Sequence, residues 1–174
     1  MTRLLLSAAL LLSFIQPAFS QNGRKVKIGK PAPELSYANP AGEVIRLSDI
    51  YKDRFVVVDF WASWCGPCRY ANPNLVRMYT YYKDKKFKGA AKGFTVLSVS
   101  LDNSADRWRL AIQQDGLIWP YHMADLPNDG NGPAKKYGII AIPMAFLIGP
   151  DGKVLGKYDD AGMASEILER YVER

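Results

Sequence analysis

The chain is poor in the residues that build metal centres: its 174 residues include two cysteines and one histidine, His122. A closed zinc site takes four ligands, so none can be assembled here without carboxylates or a second chain. No second Cys-x-x-Cys accompanies the pair at Cys65 and Cys68. No segment recurs with a period of about 20 to 50 residues, which argues against solenoids and propellers, and no low-complexity tract appears. No apolar run reaches the ~20 residues of a membrane-spanning helix. Hydrophobic residues make up 48% and charged residues 23%, a globular balance without a disorder signature. Much of the net charge of +6 lies in Lys83-Asp84-Lys85-Lys86-Phe87-Lys88 and Lys92, read as the solvated end of a helix. Nucleic-acid binding would call for arginines and aromatics interleaved on one patch, so no nucleic-acid partner is expected.

The N-terminus carries a short apolar stretch instead. Arg3 precedes a run from Leu4 to Ile15, followed by Gln16-Pro17-Ala18-Phe19-Ser20, with small residues at the two positions a signal peptidase reads. This three-part layout predicts a secretory signal over residues 1–20, cut after Ser20, and a periplasmic protein without a stable membrane anchor. An uncleaved anchor is the alternative. No cysteine stands near the cut, so lipoprotein processing is not expected. Residues 21–30 read as a flexible lead-in, and residues 31–174 suffice for one domain with a full core.

The mature chain alternates strand and helix signals. Asn39-Pro40-Ala41-Gly42 predicts a turn between two short extended pieces, and Ser48 a cap for a helical turn from Leu47 to Tyr51. Phe55 to Trp61 and Phe94 to Leu101 are continuous apolar and β-branched runs, the pattern of strands buried on both faces. Leu75, Met78, Tyr79 and Tyr82 recur with helical spacing, and Pro73 is expected to kink that helix near its start. Ser104 caps a helix carrying Trp108, Ala111 and Ile112, which Gly116 ends. Asp129-Gly130-Asn131-Gly132 lacks the acidic spacing of a calcium loop and reads as a flexible connection. Gly149-Pro150-Asp151-Gly152 signals a hairpin. A last helix is expected to bury Met163, Ile167, Leu168, Tyr171 and Val172. Such an order requires a central sheet covered on both faces.

The cysteines stand in Trp64-Cys65-Gly66-Pro67-Cys68. A structural disulfide is the plainest alternative to chemistry. Closing so short a loop removes only about 1.9 kcal/mol from the unfolded state, against about 3 for a 15-residue loop. Redox exchange fits the placement better. Cys65 falls where a buried strand ends and a helix begins, so free backbone N–H groups and the helix dipole favour its thiolate. Cys68, one turn on, can reach the same sulfur, which suits an attacking and a resolving cysteine. Pro67 costs nothing in the first turn, where its missing donor would be unpaired anyway.

The stretch Val58-Asp59-Phe60-Trp61-Ala62-Ser63-Trp64-Cys65-Gly66-Pro67-Cys68 closely resembles the active site of thioredoxins. With the leader, Gly29-Lys30-Pro31-Ala32-Pro33 and Ile148-Gly149-Pro150-Asp151-Gly152-Lys153, it resembles the exported TlpA/ResA branch over about residues 28 to 172. The resemblance implies an α/β fold: a thioredoxin-like three-layer sandwich with a central mixed sheet, an N-terminal hairpin, and an insertion from Asn103 to Leu126 before a cis-proline loop. It implies that Asp59 is a buried acid handling the proton of Cys68. It makes Trp64, Gly66, Pro67, Ile142 and Pro143 the substrate-facing residues, with Ile142-Pro143 the cis bond. An Asp in an apolar strand should be hard to ionise, which suits that role. Many members carry a Glu three positions past the second cysteine. Here Ala71 stands there, which counts against a role in reducing apocytochrome c.

The Gly66-Pro67 pair is that of reducing thioredoxins near about −270 mV, rather than oxidants near about −120 mV. The expected activity is therefore reduction of protein disulfides, with no cofactor, fed by a membrane thiol donor. Disulfide oxidation or isomerisation is the alternative direction. A peroxidase would need Pro and Thr or Ser at Val58 and Ala62, and has neither. A copper carrier would use His122, read instead as an edge-strand or loop histidine.

Overall fold

The computed structural model describes residues 26–126 and 132–174. The expected leader, the start of the lead-in and the Asp129–Asn131 part of the Asp/Asn/Gly loop lie outside the described residues. Described elements run β1 (Ser36–Ala38), β2 (Val44–Arg46), α1 (Leu47–Tyr51), β3 (Phe55–Trp61), α2 (Gly66–Tyr82) and β4 (Phe94–Ser100), then α3 (Ala105–Gln114), β5 (Tyr121–Ala124), α4 (Pro133–Tyr137), β6 (Met144–Ile148), β7 (Val154–Tyr158) and α5 (Ser165–Leu168). The strands form one seven-stranded sheet in the order β2-β1-β5-β4-β3-β6-β7. β3, β4 and β5 run parallel, and the outer pairs are antiparallel. This is the mixed three-layer α/β sheet the sequence implied.

The two faces of β3 show why. Side chains alternate across a strand, so Phe55, Val57 and Trp61 join one apolar layer with Leu75 and Met78 of α2, Trp108 of α3 and Leu168 of α5. Val56, Val58 and Phe60 join the other, against Leu35, Leu47, Tyr137 and Phe146. Full burial of each such side chain stabilises by about 1.5–3 kcal/mol, so a charge at Val57 would break the sheet's central layer. The same alternation sends Asp59 to the α2 side.

Several local expectations change. The N-terminus of α1 has no side-chain cap from Ser48. Glu34 Oε1 accepts the Leu35 and Ser48 N–H groups there, at 3.0 and 3.3 Å. Helix α2 runs through Pro73 from Gly66 to Tyr82. The last helix is broken into a 3₁₀ turn at Ala161–Ala164, α5, and a second 3₁₀ turn at Glu169–Tyr171. Leu168 is buried but Met163 is 46% exposed, because a 3₁₀ turn advances the face faster than an α-helix. Gly29 and Lys30, at the end of the lead-in, hydrogen-bond to Val154 on β7. Ser104 does cap α3, accepting the Arg107 N–H. In the β6–β7 turn, Gly152 sits at φ +78, and a Cβ there would lie 2.7 Å from the Tyr51 ring.

Candidate active site

Parallel strands β3 and β4 end side by side, and the chain leaves β3 directly into the cysteine loop. Ala62 is fully buried and Cys65 caps α2 in an extended conformation. Cys65 and Cys68 are joined as a disulfide. The Cys68 N–H points at Cys65 Sγ, 3.2 Å away, so the first turn of α2 aims a donor at the sulfur. Cys65 is 5% exposed and Cys68 1%, making Cys65 the more reachable sulfur.

The other predicted residues gather around the pair to different degrees. The Ile142–Pro143 bond is cis, and Cys65 Sγ lies 3.8 Å from the Ile142 carbonyl oxygen. The antiparallel pairing of Phe60 with Met144 brings the proline loop beside the end of β3. Trp64 is 60% exposed, whereas Trp61 is fully buried in the core. Gly66 and Pro67 are exposed. A Cβ on Gly66 would meet nothing within 4 Å, so packing does not require glycine there.

Asp59 is 4% exposed and borders a small cavity with Cys68, Asn72, Pro143 and Asp160. Burial in this apolar wall, helped by the charge of Asp160, raises its pKa to about 7. His122 sits on β5, between β1 and β4, inside the sheet rather than at an edge or in a loop. Its Nε2 lies 2.8 Å from the Trp119 carbonyl, and burial lowers its pKa to about 4. It is a neutral core residue. Among the described residues no three His, Cys, Asp or Glu side chains group as a metal site.

Sequence reasoning missed the residues that hold the loop. Fully buried Asp102 accepts the Ser63 N–H at 2.9 Å and the Ser63 hydroxyl at 2.5 Å, and also the Ser100 hydroxyl at 2.7 Å. On the other side Arg69 Nη1 donates to the Ser63 carbonyl at 3.1 Å. Arg69 is paired with Asp115, which also accepts from Asn72 Nδ2 at 2.6 Å. Every polar group of Ser63, two residues before Cys65, is thereby engaged. The available signal for Asp102 was topological: carboxyl ends of neighbouring parallel strands share a site.

Three comparisons bear on this arrangement. The AhpC/TSA family profile matches residues 28–156. The chain is 30% identical over 171 residues, covering 98% of itself and 91% of its relative, to thiol-disulfide oxidoreductase ResA of Bacillus cereus (strain ATCC 10987 / NRS 248). Among solved structures it is similar to the thioredoxin domain of a thiol-disulfide oxidoreductase from Bacteroides vulgatus, with a TM-score of 0.71 and 28% identity over 83% of this chain and 99% of that one. It is also similar to a thiol-disulfide oxidoreductase from Bacteroides fragilis NCTC 9343, with a TM-score of 0.69 and 31% identity over 81% and 99% of the two chains.

Proposed function

The chain belongs to the AhpC/TSA family, in its thioredoxin-like ResA-related part, and is a thiol–disulfide oxidoreductase; from that premise we propose that it works outside the cytoplasm as a reductant of protein disulfides. The observation that carries the reading is the unequal pair: a more accessible Cys65 at a helix N-terminus, and an enclosed Cys68 bordering the cavity that Asp59 lines.

In the reaction, the Cys65 thiolate attacks one sulfur of a substrate disulfide. The other sulfur leaves as a thiolate and takes a proton, and Cys65 is held in a mixed disulfide. Asp59, ionised, removes the Cys68 proton, and the Cys68 thiolate attacks Cys65 Sγ. The second substrate thiol is released, so the substrate gains two electrons and two protons while the enzyme closes its disulfide. A pKa of about 7 suits a group that must accept and return a proton near neutrality. Trp64, Gly66, Pro67 and the Ile142-Pro143 loop form the substrate-facing rim. Electrons come from a membrane thiol donor, which a reductant in an oxidising compartment requires. The leader over residues 1–20 carries the export reading, and among the described residues no helix is long and apolar enough to cross a membrane.

A peroxidase reading finds no support. Val58 and Ala62, the positions that would hold its proline and hydroxyl, are fully buried apolar side chains. Two measurements test the proposal. The redox potential should lie near about −270 mV, and a value near about −120 mV reverses the direction. Insulin disulfides should be reduced by the wild type and not by Cys65→Ser, while Cys68→Ser should accumulate mixed disulfides with its clients.

A further inference from the structure

The cavity behind the disulfide has a second carboxylate in its wall. With about 10 Å³ of room for a water centre, it is at the lower limit for holding one water. Asp59 enters from β3 and Cys68 and Asn72 from α2, and Ala71 offers no polar side chain on that helix. Asp160 enters from the segment after β7. There Asp160 Oδ1 accepts the Gly162 N–H at 2.8 Å and caps the 3₁₀ turn. Asp160 is partly exposed, and it also borders an outer groove with Arg77, Tyr82 and Glu166. Among the described residues, it is the one side chain that lines both the inner cavity and this groove.

We propose that Asp160 is the proton exit of the active site: the proton that Asp59 takes from Cys68 passes through a cavity water to the Asp160 carboxylate and from there to bulk solvent, and the path runs backwards when the disulfide is reduced. Only a proton moves, and each carboxylate returns to its starting state. Asp160 acts through Asp59 and is a positioning residue, so the inference rests on the reading of Asp59 as the base for Cys68. The groups facing Asp59 leave few other routes. Its strand neighbours are Ser98 on β4 and Ala145 on β6, and in the cavity wall the other ionisable groups are Cys68 and Asp160. Arg77, Tyr81, Tyr82 and Glu166 face Asp160 from the groove. The carboxylate charge of Asp160 also contributes to the raised pKa of Asp59.

The test is Asp160→Asn, because Asn caps a helical turn about as well as Asp and removes only the charge and the proton affinity. The resolving step is read from pH 5.5 to 9 by stopped flow, as the second chromophore released when the reduced protein meets a chromogenic aryl disulfide. The Asp59 ionisation midpoint is read by carboxyl-carbon NMR. Asp160→Asn should slow resolution about tenfold near pH 8 and lower the Asp59 midpoint by about one pH unit, and Asp160→Glu should recover part of the rate. Rate and midpoint profiles that superimpose on the wild type overturn the proposal. So does a rate loss in Asp160→Ala that Asp160→Asn does not share, which marks a cap and nothing more. If Asp59→Asn itself leaves resolution and its pH profile unchanged, the base reading fails. If Asp59→Asn changes them and Asp160→Asn does not, only the exit fails.

Discussion

Replacing Asp59 with Asn should change the pH dependence of stability by an amount the structure sets. A carboxyl whose folded pKa is about 7 against an ordinary 3.8 holds its proton more tightly in the native state. Its stabilising contribution is therefore complete below pH 3.8 and is lost as pH rises through about 7. At 1.36 kcal/mol per unit, the loss is about 4 kcal/mol in total, of which about 3 falls between pH 5 and 8.5. His122 works in the opposite sense. With a folded pKa of about 4, it costs stability as pH falls from about 6.5 to 4, by about 3 kcal/mol. The two trends nearly cancel, so the wild-type profile alone says little. The useful quantity is the difference between variant and wild type, measured by urea unfolding with the disulfide intact. Asp59→Asn should gain about 3 kcal/mol on the wild type between pH 5 and 8.5. With m near about 2 kcal/mol/M, that is a relative midpoint shift of about 1.5 M. Two stability profiles that stay parallel across this range would falsify the assignment of a buried, proton-holding Asp59.

Asp102→Ala should leave the Ser63 N–H and the Ser100 hydroxyl without their acceptor, costing about 3 kcal/mol and roughly 10 °C in Tm. Asp102→Asn, which can still accept on one side and donate to the Ser63 hydroxyl, should cost about 1 kcal/mol; a loss below that in the Ala variant refutes the clamp. His122→Asn should gain about 3 kcal/mol on the wild type as pH drops from 7 to 4, and a pH-independent difference would show that His122 titrates normally. Arg69→Ala, which frees the Ser63 carbonyl and unpairs Asp115, should slow insulin reduction while the disulfide-linked fold survives, as read by circular dichroism. Unchanged turnover would separate the ion pair from the loop.

The cysteine chemistry was legible because it is local. A buried strand running into Trp64-Cys65-Gly66-Pro67-Cys68 puts the first sulfur at a helix N-terminus in almost any α/β packing. The two core strands were legible for the same reason, since Phe55–Trp61 and Phe94–Ser100 are runs dominated by apolar and β-branched residues, and both are buried along their whole length. The helix after Tyr158 was misread because its apolar spacing passes equally for one α-helix or for a broken 3₁₀-α-3₁₀ run, and only packing on β6 and β7 separates them. His122 was misread because a four-residue strand (Tyr121–Ala124) does not reveal which strands flank it in the sheet.

What the sequence determined by itself is whatever spans one strand or one helical turn: the redox pair, the two central strands, the hairpin at Gly149-Pro150-Asp151-Gly152, and an Asp in a mostly apolar strand that had to be hard to ionise. It did not show that β5 lies inside the sheet. Tertiary structure decided which distant groups meet at the carboxyl end of the sheet. Asp102 reaches Ser63 across 39 positions of sequence, and Asp160, about a hundred residues after Asp59, closes the same cavity. Neither contact leaves a local pattern, because the register of β3 against β4 and β6 sets them, and register is a property of the assembled sheet.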